Sequence, residues 1–298
     1  RWGLSHAFTD YHQMLRVVEP DIVHVNAPPT HRREILMACE ATGVGGIVLE
    51  KPVGIDVEDL VWLEGFANST RMRIAVNHQL HYHLSRRRMV EGIRAGRIGR
   101  LGYVEGSARH LLGYQGTHII EGMTDIVGRP SRWVTATAWG VDGLDDPGGH
   151  LSPDNVTAHI QFEDSVIGQF RCGLDTGSVV SDPKATERHH HKRLIAVGDE
   201  GVVEWTMWGL RLTTSKGTLS ATSDYDYEDR QAQAALVQSL SAWMDGGTAV
   251  AVDLRSALAR FSLALAMYRS VLQSSTVDPA DVGSAELIPQ LRDQLHSH

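Results

Sequence analysis

The sequence predicts two domains of different kinds: an α/β domain on a parallel sheet over residues 1–83, and an α+β domain with a large, mainly antiparallel open sheet over residues 84–298. Three observations predict this. Helical and strand patterns alternate from Thr9 to Asn77; the strands among them are unbroken apolar runs; and past Gly96 the strand-like runs alternate apolar with polar residues between turns.

In the first domain the pattern gives a helix around Tyr11–Val18, a strand Asp21–Asn26, a helix Thr30–Thr42, a strand Gly46–Glu50, a helix Val57–Asn68 and a strand Arg73–Asn77. Ile22-Val23-His24-Val25 and Ile47-Val48-Leu49 lack polar alternation, as strands covered on both faces do. A longer helix, Leu84–Ala95, ends at Gly96 and opens the second domain. Its strands are expected at Leu101–His110, Arg132–Trp139, Asn155–Phe162, Val166–Cys172, Arg193–Val197, Val202–Thr206 and Leu210–Thr214, with helices Thr117–Val127, Asp229–Met244 and Leu254–Leu272. Asp142–Pro153 and Leu174–Lys192, rich in Gly, Asp, Pro and Ser, read as long loops.

Composition narrows the function. Lys+Arg of 28 against Asp+Glu of 36 gives a net charge of −8, so the summed field repels phosphate backbones and anionic lipid; neither nucleic acid nor a membrane is an expected partner. No apolar run reaches the roughly 18 residues that span a bilayer. Cys39 and Cys172 are far apart without CxxC spacing, which points to a reducing, cytoplasmic setting.

The chemistry gathers at strand ends. Asp21–Asn26 runs into Ala27-Pro28-Pro29-Thr30-His31, a sharp turn with Thr30 as helix cap; the next strand ends in Glu50-Lys51-Pro52; the third ends at Asn77. In an open α/β sheet, ligands bind at the carboxyl ends of the strands. Each motif alone has a bland reading as a turn, a solvated ion pair or a strand end. On three consecutive strand ends they converge, which is what a small-molecule site requires.

Pro20-Asp21-Ile22-Val23 through Pro28-Pro29 and His31, then Glu50-Lys51-Pro52, is similar to the signature of the Gfo/Idh/MocA oxidoreductases. Gly96-Arg97-Ile98-Gly99 resembles the family's link between domains, Gly116-Thr117-His118 the start of its catalytic helix, and Ala196–Gly201 a turn of its later sheet. The resemblance implies a Rossmann-type domain followed by a substrate-binding domain, NAD or NADP as cofactor, and a sugar, sugar derivative or cyclitol as substrate. It implies catalytic roles for Lys51 and His118, cofactor contacts from Asn26, Ala27, Pro28, His31, Glu50, Lys51, Pro52 and Asn77, and a homodimer or homotetramer formed through the C-terminal sheet. Gln79, His81 and Tyr114 join Lys51 and His118 as candidate substrate contacts.

Two departures stand out. The family begins with a strand, a Gly-rich phosphate turn and a helix, yet no GxGxxG is present and Arg1-Trp2-Gly3 reads as the end of an earlier helix. The chain therefore reads as lacking its first β-α unit, roughly fifty residues; a missing central strand is expected to leave a gap in the sheet, and the residue that selects NAD over NADP is absent with it. The second departure is Tyr114, where the family often has an acid four residues before the histidine; it implies altered substrate orientation or proton relay.

Sixteen histidines invite a metal reading, chiefly His78, His81, His83 and His189–His191. No carboxylate is spaced with them, His189–His191 reads as exposed loop, and no metal site is expected. Oxidising a secondary alcohol needs a hydride acceptor and a base in reach of the hydroxyl proton. His118 reads as the base, left at the exposed first turn of its helix with a pKa lowered by the helix N-terminus, and Lys51 as the group that polarises the oxygen, though the two roles are exchangeable. A redox-neutral NAD-dependent glycosidase of the same superfamily would use the same pair, and a non-catalytic binding relative is the alternative from another class.

Overall fold

The computed structural model describes residues 6–145 and 150–297. The helix-end reading of Arg1–Gly3 and the tip of the Asp142–Pro153 loop lie outside them.

After the helix α1 (Tyr11–Val18), capped by the Asp10 carboxylate accepting from His12 N at 2.8 Å, strands β1 (Ile22–Val25), β2 (Gly46–Leu49) and β3 (Arg73–Val76) pair in parallel in that order. The helices α2 (Arg32–Ala41) and α3 (Val57–Ser69) connect them, each joining neighbouring strands, so Val23, Ile47 and Ile74 lie side by side. The gap expected within the sheet is therefore absent. The three strands are direct neighbours, and the outer edge of β1 pairs with no strand among the described residues. Thr30 is also not a cap: it lies inside a short 3-10 turn, Pro29–His31, and α2 starts at Arg32 without a side-chain cap.

The helix α4 (Leu84–Arg94) leads to an eight-stranded sheet whose order is β11-β10-β9-β8-β4-β7-β6-β5. These strands are β4 (Leu101–Ala108), β5 (Ser131–Trp139), β6 (Asn155–Phe162), β7 (Ile167–Gly173), β8 (Lys192–Gly198), β9 (Gly201–Thr206), β10 (Gly209–Thr214) and β11 (Gly217–Thr222). All pairings are antiparallel except β4 with β7. The strand β11 adds an edge that the sequence reading did not anticipate.

The helix α5 (Thr117–Val127) lies on one face of this sheet at a close approach that glycine allows from both sides. A Cβ on Gly106 of β4 would stand 2.3 Å from Ile119 Cγ2, and one on Gly122 of α5 would stand 2.5 Å from Leu194 Cδ1. At such distances a larger residue requires the facing side chains or the helix to move.

The C-terminal helices α6 (Tyr225–Met244) and α7 (Leu254–Gln273) return to the first sheet, and α8 (Leu287–His296), a further unanticipated element, packs on α7. Leu236 and Leu240 of α6 are buried with Val48 and Ala75 of the parallel sheet, each contributing about 1.5–3 kcal/mol by burial. Val76 N donates to Val252 O at 2.9 Å, so the segment between α6 and α7 meets the outer edge of β3. The two sheets are thus held together by a late part of the chain.

Candidate active site

Strand pairing brings the three rim motifs together. Glu50 N donates to Val25 O at 3.1 Å and Asn77 N to Leu49 O at 2.7 Å, continuing the sheet one residue past its strands. Asn77 Nδ2 donates to Glu50 Oε1 at 2.5 Å, tying the ends of β2 and β3, while Asn77 Oδ1 is buried without a hydrogen-bond partner. Asn26, Pro28 and His31 are exposed along the rim of β1 and the turn beyond, with Ala27 half-buried.

Lys51 follows Glu50 and crosses to the second domain, where its Nζ donates to Tyr114 O at 2.5 Å. Burial pushes its pKa down to about 8, with Glu50 opposing and Arg32 adding to the shift. Tyr114 belongs to a π-helical turn, Leu112–Gly116, that feeds directly into α5. Gly116 is needed there, since a Cβ would stand 2.9 Å from Cys172 Sγ.

His118 is the second residue of α5, and it is buried, at 4% exposure, rather than exposed as the sequence reading had it. The stripe docking α5 includes its first turn, because the preceding turn presses that end onto β7. Its ring partner is His78, edge to face with centroids 5.2 Å apart. The His118 pKa is lowered well below 6.5 by burial first, then by Lys51, the neighbouring His78 and Lys192. This replaces the helix N-terminus as the cause. His78, buried just past β3, is pushed down to about 3, again chiefly by burial. The Nδ1 atoms of both rings lack a hydrogen-bond partner.

The other candidates fall differently. Gln79 is half-buried at the start of a 3-10 turn, Gln79–Tyr82. His81 turns away to a charged cluster, with Nδ1 at 3.0 Å from Glu121 Oε1 and 3.4 Å from Asp125 Oδ2. Sequence spacing could not supply these carboxylates because they come from α5, forty residues on. The three groups are close enough to hold a cation. Arg86 at 2.5 Å from Glu121 and Arg94 at 3.0 Å from Asp125 already compensate the two acids, which opposes a metal there. His83 is buried between Glu228 and Asp229 of α6.

The segment His189–Lys192 is not an exposed loop. His191 and Lys192 are buried, and Lys192 is the first residue of β8. Its Nζ donates to His189 O and lies 3.3 Å from Met207 Sδ, and burial, then Lys51, pushes its pKa down to about 7. Arg32 was also unforeseen. It folds back from α2 with Nε on Ala27 O at 3.3 Å and NH1 unpartnered, its pKa lowered to about 10 by burial. A charged residue in a first helical turn or in a His-Lys-Arg run carries no sequence signal of burial.

A small, largely apolar pocket beside His78 is walled by Pro52, Ile55, Thr117, Phe261 and Tyr268. The constellation therefore offers a neutral imidazole, an ammonium with a lowered pKa and an apolar slot beside the rim of a parallel sheet. It is suited to moving a proton beside that rim.

Residues 1–78 match the family model described as oxidoreductase family, NAD-binding Rossmann fold. No curated protein matches the sequence. Among solved structures, the chain is similar to an oxidoreductase from Pseudomonas syringae, at 15% identity and TM-score 0.76, over 91% of this chain and 83% of that one. It is similar to a levoglucosan dehydrogenase in complex with NADH and levoglucosan, at 16% identity and TM-score 0.75, over 93% and 85%. It is also similar to an inositol dehydrogenase homolog from Azotobacter vinelandii complexed with NADH and myo-inositol, at 15% identity and TM-score 0.69, over 87% and 78%. At these identities the likeness is one of fold, a Rossmann domain followed by a large, mainly antiparallel sheet.

Proposed function

We propose, from the match of residues 1–78 to the Gfo/Idh/MocA oxidoreductase model and the two-domain fold of the whole chain, that this protein moves a hydride between a nicotinamide cofactor, NAD or NADP, and a hydroxyl-bearing carbon of a sugar, sugar derivative or cyclitol. The observation that carries the reading is the bond from Lys51, at the rim of the parallel sheet, to Tyr114 O in the turn that leads into His118, whose pKa the Lys51 charge helps to lower.

The rim fits the nicotinamide end of the cofactor on its own evidence. Asn77 Oδ1 is a buried acceptor without a donor, Glu50 is fixed by Asn77 Nδ2, and Pro52 bounds the apolar pocket. When bound, the nicotinamide supplies the hydride acceptor. His118, neutral through burial and its cationic neighbours, takes the hydroxyl proton. Lys51 exchanges its bond to Tyr114 O for one to the reacting oxygen and stabilises the developing negative charge there. Tyr114 contributes its backbone carbonyl to this arrangement, a role that does not need the acid often found at that position.

The same reading puts the contact between copies on the sheet face opposite α5, where Trp133 and Arg171 are left to solvent. The test of function is direct. NADH and NADPH are titrated by fluorescence, and turnover is followed at 340 nm over a panel of hexoses, cyclitols and their acids. Binding of one cofactor, with reduction by at least one polyol, is expected; failure to bind either overturns the proposal.

A further inference from the structure

Sequence reading gives Lys192 no role, yet the fold delivers it to the site. In the eight-stranded sheet Lys192 of β8 pairs with Ala108 of β4, which pairs with Cys172 of β7, so the three side chains form one row on one face. All three are buried. Above that row sits the turn Leu112–Gly116, with Gly116 against Cys172 and with Tyr114 O accepting from Lys51. His118 follows two residues later. Lys51 and Lys192 are therefore near enough for Lys51 to act on Lys192, and His118 feels the charge of both.

Neither lysine has a counter-ion in contact: among the described residues no carboxylate lies within ion-pair distance of Lys51 or Lys192. Glu50, the acid that acts on Lys51, is taken by Asn77 Nδ2 at 2.5 Å. Asp229, the acid that acts on Lys192, sits 3.4 Å from His83 Nε2. A buried ammonium left without a counter-ion is expensive, and a protein keeps one where a ligand completes it. The eleven-residue helix α5, which begins directly after the Leu112–Gly116 turn, brings its positive end to the same part of the fold.

We propose, resting on the oxidoreductase reading above, that the substrate is a sugar acid: Lys192 holds its carboxylate while Lys51 and His118 act on a neighbouring hydroxyl carbon. A carboxylate entering between the two lysines supplies the missing counter-charge, and its position then fixes which hydroxyl reaches Lys51 and His118. The lowering of the Lys192 pKa to about 7 fits a group waiting for an anion, because a bound carboxylate restores the charged form.

The experiment compares kcat/KM for hexoses and cyclitols with that for the matching uronic and aldonic acids and for sugar phosphates, using the whole protein with NAD+ and NADP+. The acids are expected to exceed the neutral compounds by about tenfold or more. Lys192→Met is expected to cut that ratio about tenfold, and Lys192→Arg, which keeps the charge, to retain most of it; thermal melting reports whether each variant folds. Neutral compounds that match or exceed the acids in the unmodified protein overturn the proposal, as does a ratio unmoved in a folded Lys192→Met. A preference for phosphate esters overturns the carboxylate. Turnover of neutral compounds alone leaves the oxidoreductase reading standing, whereas no turnover of any compound removes both.

Discussion

His78 and His118 meet edge to face, with ring centroids 5.2 Å apart, although one follows the last strand of the parallel sheet and the other begins the helix of the second domain. Each is 4% exposed, each has a pKa lowered by burial, and each leaves Nδ1 unpartnered. The contact is therefore one between two neutral rings, and it holds the proposed base at a fixed angle to the rim where the cofactor would lie.

Replacing that base tests its role. His118→Asn keeps a polar side chain of similar width but cannot take the proton, so kcat is expected to fall by about 10²- to 10⁴-fold. Cofactor affinity, set by the rim of the parallel sheet, is expected to change little. Steady-state kinetics with a parallel NADH titration measures both, and a variant retaining more than about a tenth of the normal kcat assigns the base elsewhere.

Lys51 is tested separately because its contribution belongs to the transition state. Lys51→Ala is expected to lower kcat by about a hundredfold or more without unfolding the protein, since its Nζ makes a single bond, to Tyr114 O, that the turn can exchange for water. Circular dichroism melts beside the kinetics separate the two effects. Near-normal turnover in a folded Lys51→Ala protein removes it from the site.

Where periodicity reflects burial, the sequence was legible. The unbroken runs at Ile22–Val25 and Ile47–Leu49 are strands of the sheet covered by α6, Asn155–Phe162 is β6 to the residue, and Thr117–Val127 is α5 to the residue. The strand β11 was missed because every residue of Gly217–Thr222 is exposed, so nothing marks it but pairing with β10. The helix α6 begins at Tyr225, four residues early, because Asp224 caps it by accepting from Tyr227 N at 3.0 Å. The rim motifs were legible since strand order places them together. Lys192, Arg32 and Glu121 were not, because a charged side chain is buried by partners distant in sequence, and no local pattern records that.

Glu121 and Arg86 give a stability prediction. Both are buried and paired at 2.5 Å; burial alone would raise the Glu121 pKa, but Arg86 first and His81 next hold it well below the usual carboxylate range. Arg86→Ala removes the guanidinium and leaves that buried carboxylate with His81 as its partner, and is expected to destabilise the fold by about 3 kcal/mol or more. The double variant Arg86→Met, Glu121→Leu is expected to recover most of the loss, as an apolar pair needs no counter-charge. Urea denaturation measures all three proteins. An Arg86→Ala loss below about 1 kcal/mol would show the pair to be solvated in solution.

The pH dependence of turnover separates the two assignments of base. A depressed pKa means that His118 is already deprotonated throughout the neutral range, so its acidic limb falls well below pH 6.5. Lys51 must carry its proton to stabilise the alkoxide, and with its pKa near 8 that form is lost as the pH rises. With His118 as base and Lys51 as the charged group, kcat/KM for a neutral polyol is expected to be level between about pH 6 and 7.5 and to decline above about 8. A neutral polyol is specified so that an anionic group on the substrate does not bring the titration of Lys192 into the same window. If Lys51 were the base, its neutral form would be the active one, and the rate would climb through pH 8 to an alkaline plateau. The sign of the slope between pH 7.5 and 9 decides the matter, and His118→Asn supplies the control. In that variant the residual rate keeps its decline above pH 8 if Lys51 acts through its charge, whatever group has taken over the proton.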